Sequence, residues 1–189
     1  MKALLIDGGD PFVHTIRAEV TALGISSVVC PPAAAAERVP AEVPDAVVLG
    51  PGPGRPRDAA HLRVLAALTG SVPILGVCLG HQAIGLAFGA RIARALRPLQ
   101  GRSSRIEHDG RGVFVRAPAD QLVARYHAFV VDEEGLPPEL EVSARSVDDG
   151  HVMAMRHRRL PIESVQFHPE SIATQGGTSL LASFFDTYC

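Results

Sequence analysis

The feature that most constrains the fold is a glycine-flanked cysteine between an apolar strand and an apolar helix. The strand is predicted over Val72–Val77, and Ala83–Phe88 has the apolar character of a buried helix. Cys78 lies at the turn between them, with Gly76 and Gly80 two residues to either side. Small flanking residues permit the sharp turn that exposes a nucleophile, as in the cysteine form of a G-x-S-x-G elbow. The N–H groups that begin the helix favour the thiolate, so we interpret Cys78 as a nucleophile rather than a buried structural cysteine.

A nucleophilic thiolate needs a base, and the base needs a group that orients it. The predicted strand Ile162–Gln166 leads to His168, and Pro169 then turns the chain with a fixed φ. Glu170 follows two residues after the histidine, where its carboxylate can meet the imidazole nitrogen that faces away from Cys78. A surface His-Pro-Glu loop is the alternative when the segment is taken alone. Together with the elbow, the segment favours a triad.

Strands and helices alternate in the N-terminal half, which predicts a parallel α/β sheet. The predicted elements there are strands Lys2–Asp7, Ser27–Cys30 and Asp45–Leu49 and helices Phe12–Leu23 and Arg57–Leu68. From Ala90 onward short strands predict a meander that extends the sheet and returns His168 to Cys78. These strands are Arg91–Ala93, Ser104–His108, Gly112–Arg116, Leu122–Tyr126, Leu140–Ser146, His151–Arg156 and Ile162–Gln166, followed by a helix, Ser179–Tyr188.

The loop Gly50-Pro51-Gly52-Pro53-Gly54 follows a predicted strand, as Cys78 does. Ligands of parallel sheets bind outside the carboxyl ends of the strands, so this loop and Cys78 are expected to lie together. Prolines restrict the loop while glycines let backbone N–H groups approach a ligand. Attack of a nucleophile on a carbonyl creates an oxyanion that backbone N–H groups stabilise, and the N–H of Leu79, next after the nucleophile, is one candidate donor. The Gly-Lys-Ser/Thr ending of a phosphate loop is absent.

Composition predicts one globular domain over residues 1–189, with 47% hydrophobic and 20% charged residues. No apolar run approaches the ~20 residues of a membrane span, and the chain enters a strand at Lys2 without a signal peptide. A net charge of −2 does not indicate a nucleic-acid partner. Cys30, Cys78 and Cys189 are too far apart in sequence to suggest a metal site. A working thiol favours the reducing cytoplasm.

These motifs resemble the class I (triad) glutamine amidotransferases over nearly the whole chain, with Cys78, His168 and Glu170 in the triad positions. Leu49–Gly54 resembles the oxyanion loop of that family. Segments Gly101–Phe114 and Arg125–His127 are similar to one branch, the glutaminase subunit of anthranilate synthase and aminodeoxychorismate synthase. The resemblance implies a flavodoxin-like three-layer domain whose mostly parallel central sheet is extended by antiparallel strands.

The resemblance also implies the site residues. Gly52 N–H would be the second oxyanion donor, and the implied substrate-binding residues are Gly52, Pro53, Gly54, Leu79, Gln82, Ala128 and Phe129. Ala128 departs from the family, where serine is usual. The segment Asp7-Gly8-Gly9-Asp10-Pro11-Phe12 departs from the family's Asp-Asn-x-Asp-Ser-Phe. We interpret His81 as structural and Arg125-Tyr126-His127 as pocket wall.

The function implied is hydrolysis of L-glutamine through a γ-glutamyl thioester on Cys78, with no cofactor or metal. Ammonia would pass to a chorismate-using synthase on a separate chain. Three alternatives of function stay open: the glutaminase of another synthase such as GMP synthase, a γ-glutamyl hydrolase or peptidase without a partner, and a catalytically silent regulatory or scaffold protein. The product of the pathway, whether anthranilate, aminodeoxychorismate or aminodeoxyisochorismate, also stays open.

Overall fold

The fold is built on one mixed β-sheet with helices on both faces. The structure, a computed structural model, describes residues 1–31, 33–35, 38, 43–58 and 61–189. The strands within these ranges are β1 Lys2–Ile6, β2 Ser26–Cys30, β3 Ala46–Leu49, β4 Ile74–Val77, β5 Ile92–His108, β6 Gln121–Val131, β7 Leu140–Ser146, β8 Val152–His157 and β9 Ile162–Val165. The α-helices are α1 Phe12–Ala22, α2 His61–Leu68, α3 Leu79–Ala87 and α4 Gly177–Tyr188. Short 3₁₀ helices occupy Pro56–Asp58, Gly112–Phe114 and Glu133–Gly135.

The strand order is β2-β1-β3-β4-β9-β8-β7-β5-β6. The first five strands pair in parallel, in the doubly wound order of flavodoxin-like folds. The last four continue the sheet as antiparallel pairs. The two halves meet at β9, which is parallel to β4 and antiparallel to β8. A parallel sheet extended by antiparallel strands is the architecture expected from the sequence, and that expectation is confirmed.

The core has two faces because the side chains of a strand alternate between them. In β1, Ala3 and Leu5 join the cluster that contains apolar residues of α1 and α4. Leu4 and Ile6 join the cluster that contains residues of α2 and α3. All four side chains are fully buried, as expected for a parallel strand covered on both sides. This confirms the expected three layers.

The predicted strand Gly112–Arg116 is wrong, since Gly112–Phe114 form a 3₁₀ helix. Gly112 has φ +55°, and a Cβ there would lie 1.7 Å from Oε1 of Glu163, so the chain turns where only glycine fits. The predicted strand Ser104–His108, and the predicted strand Arg91–Ala93 except for Arg91, are parts of the longer β5, whose pairing with β6 shifts register twice. Of the predicted helix Arg57–Leu68, residues 59 and 60 lie outside the described residues.

Buried Glu163 of β9 forms hydrogen bonds with three neighbouring segments. Its Oε1 accepts from Arg156 Nε at 3.2 Å and from the Tyr188 hydroxyl at 2.7 Å, and its Oε2 accepts from the N–H of Val113 at 3.1 Å. Burial and then the charge of Glu163 raise the pKa of Tyr188, so the phenol keeps its proton and goes on donating. The strand that leads to His168 is therefore anchored to α4 as well as to the sheet.

Within the described residues, no helix combines the length and the apolar character needed to cross a membrane.

Candidate active site

Cys78 occupies a strained turn between β4 and α3. Its backbone has φ 52° and ψ −98°, a conformation that costs a non-glycine residue about 1–3 kcal/mol. The flanking glycines allow the turn by close packing: a Cβ on Gly76 would lie 2.7 Å from the carbonyl oxygen of Gly80, and one on Gly80 would lie 2.2 Å from that of Leu49. The turn has the geometry that the sequence predicts for a nucleophile elbow.

The Cys78 side chain lies at the first turn of α3 and is 6% exposed. Its backbone N–H donates to the carbonyl of Val165 at 2.9 Å, which fixes the elbow against the end of β9. The side-chain Nε2 of Gln166 lies 3.7 Å from Sγ and donates to it. Cys78 therefore directly precedes the N-terminus of α3, and its sulfur accepts a hydrogen bond from a buried amide.

His168 and Glu170 form a buried pair directly after β9. Nδ1 of His168 lies 2.6 Å from Oε1 of Glu170. The loop that carries them is fastened to β6: the His168 N–H donates to the Ala124 carbonyl at 3.0 Å, and the Thr174 hydroxyl donates to the His168 carbonyl at 2.6 Å. Nε2 of His168, the ring nitrogen that does not face Glu170, is buried and has no hydrogen-bond partner among the described residues.

The charge state of His168 depends on its neighbours. Burial alone would lower its pKa, but Cys78 and then Glu170 outweigh burial and raise the pKa of His168 to about 10. An imidazolium at neutral pH is what a thiolate–imidazolium pair requires. The rings of Phe12 and Tyr126 meet the imidazole edge-on, with centroids 5.3 and 5.1 Å away, and fix its plane.

The Gly-Pro loop after β3 is held by backbone contacts and by one histidine. Nε2 of His61 on α2 donates to the Gly50 carbonyl at 2.8 Å. A Cβ on Gly52 would lie 2.1 Å from the Gly8 carbonyl oxygen and 2.7 Å from Cδ2 of Leu79. A Cβ on Gly8 would in turn lie 2.2 Å from the Pro51 carbonyl oxygen. Gly8 is therefore packed directly against this loop, in a space that a side chain would not fit.

All seven predicted substrate-binding residues line one cavity with Cys78. The cavity measures about 400 Å³, within the usual range for a small-molecule site. Its lining residues are Gly52, Pro53, Gly54, Arg55, Cys78, Leu79, Gln82, Gln100, Tyr126, His127, Ala128 and Phe129. The predicted pocket wall includes Tyr126 and His127. Arg125 does not line this cavity and lies fully buried behind it, so that part of the prediction is wrong.

Gln82 presents one group to the cavity. Its Nε2 donates to the Phe129 carbonyl at 2.9 Å and to Oε1 of Gln166 at 3.1 Å. Both N–H bonds of the amide are therefore used inside the protein. Its Oε1 remains to accept a hydrogen bond from a substrate amino or amide group.

Two buried histidines beside the site are neutral. Nδ1 of His81 lies 2.9 Å from Oγ of Ser164, and burial followed by repulsion from His127 lowers the pKa of His81 to about 3. Burial and then the charge of Arg125 lower the pKa of His127 to about 3. Neither is suited to act as a general base at neutral pH, which agrees with the structural role predicted for His81.

These two pKa values predict how stability depends on pH. An unfolded histidine binds a proton near pH 6.5, whereas folded His81 does not. The contribution of His81 to the free energy of unfolding is therefore fully present above pH 6.5 and is lost as the pH falls towards 3. Each neutral histidine should remove about 1.4 kcal/mol of unfolding free energy per pH unit in this window. Urea unfolding between pH 6 and 5 should show a shallower pH slope in His81→Gln than in the native chain. Exposed His14 provides the control His14→Gln, and equal slopes in all three proteins would contradict the expectation.

Sequence reasoning missed several residues of the site. Gln166, Thr174 and His61 contact the sulfur, the His168 carbonyl and the Gly50 carbonyl, respectively. A signal existed only for Gln166, which lies two residues before His168 and so shares its side of an extended chain. The contacts of Thr174 and His61 join segments that lie far apart in sequence, and no local pattern indicates them.

By fold, the chain is an α/β protein in which Cys78 follows β4 and the His168–Glu170 pair follows the neighbouring strand β9. The family model described as glutamine amidotransferase class-I matches residues 4–188, and the chain belongs to that family. It is 40% identical over 175 residues to "Anthranilate synthase component 2" of Methanocaldococcus jannaschii, covering 92% of this chain and 87% of that protein. It is 39% identical over 187 residues to "Aminodeoxychorismate/anthranilate synthase component 2" of Bacillus subtilis, covering 98% and 96%.

Some relatives are much longer. The chain is 54% identical over 144 residues to "Aminodeoxychorismate synthase" of Streptomyces griseus, which covers 75% of this chain but only 20% of that protein. It likewise spans 26% of a relative from Thermotoga maritima. A solved structure described as that of a putative GMP synthase subunit from Thermoplasma acidophilum superposes with a TM-score of 0.88 at 24% identity, over 98% of this chain and 92% of the other. That likeness shows the fold alone.

Proposed function

We propose that the chain is a glutaminase that releases ammonia from L-glutamine for a chorismate-using synthase. The observation that carries the proposal is the shared cavity: the strained Cys78 elbow opens into the same 400 Å³ space as Gly52, Gln82 and Phe129. A reactive sulfur beside oxyanion donors and a fixed amide acceptor suits the side-chain amide of a small amino acid.

The proposed reaction gives each of these groups one role. The Cys78 sulfur attacks the side-chain amide carbon, and the N–H groups of Leu79 and Gly52 stabilise the oxyanion. His168 carries the thiol proton to the departing nitrogen, so the C–N bond breaks as ammonia leaves and a thioester remains. His168 then takes a proton from water, which attacks the thioester and releases glutamate and the thiol. Glu170 orients the imidazole through Nδ1.

The synthase partner is proposed from the names of the relatives. Those that this chain covers most fully in length are called component 2 of anthranilate or aminodeoxychorismate synthase, which favours a synthase on a separate chain. The thiol chemistry favours the reducing cytoplasm as the compartment. The candidate partners are anthranilate, aminodeoxychorismate and aminodeoxyisochorismate synthases.

The test is glutamate release from L-glutamine by the purified chain, alone and with candidate chorismate-using synthases. We expect slow release alone and a rise of at least tenfold with the cognate synthase, accompanied by aminated product. An equal rate with and without every synthase, together with faster cleavage of γ-glutamyl peptides, would indicate a stand-alone hydrolase. Absence of glutamate under all conditions would indicate a silent regulatory protein.

The synthase should bind around the mouth of the cavity, where ammonia leaves. Arg57 is exposed there and lines a neighbouring cavity of about 620 Å³ that shares Arg55 and Phe129 with the glutamine site. Arg57→Glu should weaken synthase binding at least tenfold in titration calorimetry. The matched control is Arg63→Glu, exposed on α2. Arg105 is a poorer choice because it already pairs with Asp120. Unchanged affinity in Arg57→Glu would place the partner elsewhere.

A further inference from the structure

We propose that Gln166 is a further catalytic residue, whose side-chain N–H stabilises the Cys78 thiolate and whose orientation is imposed by Gln82. The inference rests on the proposed glutaminase function, since it concerns the same sulfur. It assigns a role to a residue directly after β9 that the triad does not use.

Gln166 is placed on the sulfur by the sheet. Its backbone N–H donates to the Met153 carbonyl at 2.8 Å, and the neighbouring Val165 carbonyl accepts from the N–H of Cys78. The side chain is fully buried, and Nε2 lies 3.7 Å from Sγ, a normal distance for a hydrogen bond to sulfur. The side chain therefore cannot move away from Cys78 without leaving the core.

The orientation of the amide is set by its neighbours. The nitrogen and oxygen of a glutamine side chain are assigned from the hydrogen bonds around them. The Phe129 carbonyl can only accept, so Gln82 must turn its NH₂ group towards it. The second N–H of Gln82 then points at Gln166, which must present its oxygen there. The NH₂ group of Gln166 is left facing Cys78.

The Phe129 carbonyl also accepts a hydrogen bond from His127, whose orientation is in turn set by Arg125. Arg125 is fully buried, pairs with Asp149 at 2.8 Å and donates from Nε to Nε2 of His127 at 3.1 Å. Because an arginine can only donate, His127 must be neutral with its proton on Nδ1, which lies 3.1 Å from the Phe129 carbonyl. The donor and the acceptor of each hydrogen bond are therefore determined along the whole path from the Arg125 guanidinium to the Cys78 sulfur. The path runs through His127, the Phe129 carbonyl, Gln82 and Gln166.

A fixed neutral donor on the sulfur has a defined effect. A hydrogen bond to an ionised acceptor is stronger than one to a neutral acceptor, so Gln166 favours thiolate over thiol. It transfers no proton, and His168 remains the base. Its loss should therefore reduce the reactive fraction of Cys78 near neutral pH and leave the reactivity unchanged once the thiol is ionised by alkali.

The test is the pH profile of Cys78 alkylation by iodoacetamide, which needs no glutamine turnover. Exposed Cys189 is first replaced by serine so that labelling reports Cys78, and peptide mapping confirms the site. We expect Gln166→Met to lower the alkylation rate about tenfold at pH 6.5, with equal rates at pH 10. Gln166→Glu keeps an acceptor towards Gln82 but sets oxygen against the sulfur, and should lower the rate further at pH 6.5.

The matched control is Gln175→Met, on the exposed surface, which should reproduce the parent profile. A profile for Gln166→Met that coincides with the parent, or that falls equally at all pH values, would overturn the inference. Glutamate release by the Cys189→Ser parent together with its synthase tests the proposed function separately. If this parent releases no glutamate while Gln166→Met still shifts the pH profile of alkylation, the proposed function fails and the donor contact stands.

Discussion

Cys78→Ala should lower glutamine-dependent product formation by about 10⁴-fold or more, while the complex with the synthase still uses added ammonium. The loss is this large because neither of the other two cysteines lines the cavity: Cys30 is buried elsewhere, and Cys189 lies exposed near the carbonyl of Asp45. Cys189→Ala is the matched control and should keep full activity. The measurement is the rate of the complex with glutamine and with ammonium as nitrogen donors.

His168→Ala should cost about as much as Cys78→Ala, and the double variant should cost no more than either alone, because the base and the nucleophile act in one step. Glu170→Ala should cost less, since it orients the imidazole. A double variant much slower than both single variants would contradict the assignment. Normal glutamine use by Cys78→Ala would exclude thioester chemistry at this residue.

Gly52→Ala should reduce kcat for glutamine by about 10²–10³-fold, the effect of losing one oxyanion donor. A Cβ at this position would lie 2.1 Å from the backbone oxygen of Gly8 and 2.7 Å from Cδ2 of Leu79, so the loop must shift to accommodate it. The N–H of Gly52 should therefore move away from the position of the oxyanion. Steady-state kinetics give kcat, and alkylation of Cys78 should remain normal because the contacts of Cys78 with Val165 and Gln166 do not involve Gly52.

Gly135→Ala is the control for this substitution. Gly135 has no positive φ, and a Cβ there would make an ordinary contact of 3.5 Å with Arg91, so both kcat and stability should change little. Full activity in Gly52→Ala would show that the oxyanion is stabilised by other groups. A loss of alkylation together with kcat would instead show that the whole site had been displaced.

The parts of the site that were predictable from sequence are those that depend on neighbouring residues. The turn at Cys78 follows from two glycines and the change from strand to helix, and Glu170 meets His168 because Pro169 turns the chain between them. The parallel half of the sheet follows from alternating strands and helices. Gly52 and Gln82 were implied by the resemblance to a family, and the structure places both in the cavity with Cys78.

The parts that were not predictable depend on contacts between distant segments. The 3₁₀ turn at Gly112 exists because the carboxylate of Glu163, about fifty residues later, fills the space that a side chain would need. The burial of Arg125 depends on Asp149 from a turn beyond β7. A strand pattern of alternating residues does not reveal either contact, because it reports which face a side chain occupies and not what it meets there.

The central position of β9 has a consequence for the newborn chain. This strand is the last of the nine to be synthesised, yet it lies between β4 and β8 in the finished sheet. While the ribosome is still making the preceding residues, the edges of β4 and β8 that later receive β9 lack their partner. Cys78 therefore emerges long before His168, and the two residues come together only when residues 162–170 join the sheet. The contact of the Cys78 N–H with Val165 and the placement of the His168–Glu170 pair beside β4 therefore form together, as the sheet closes.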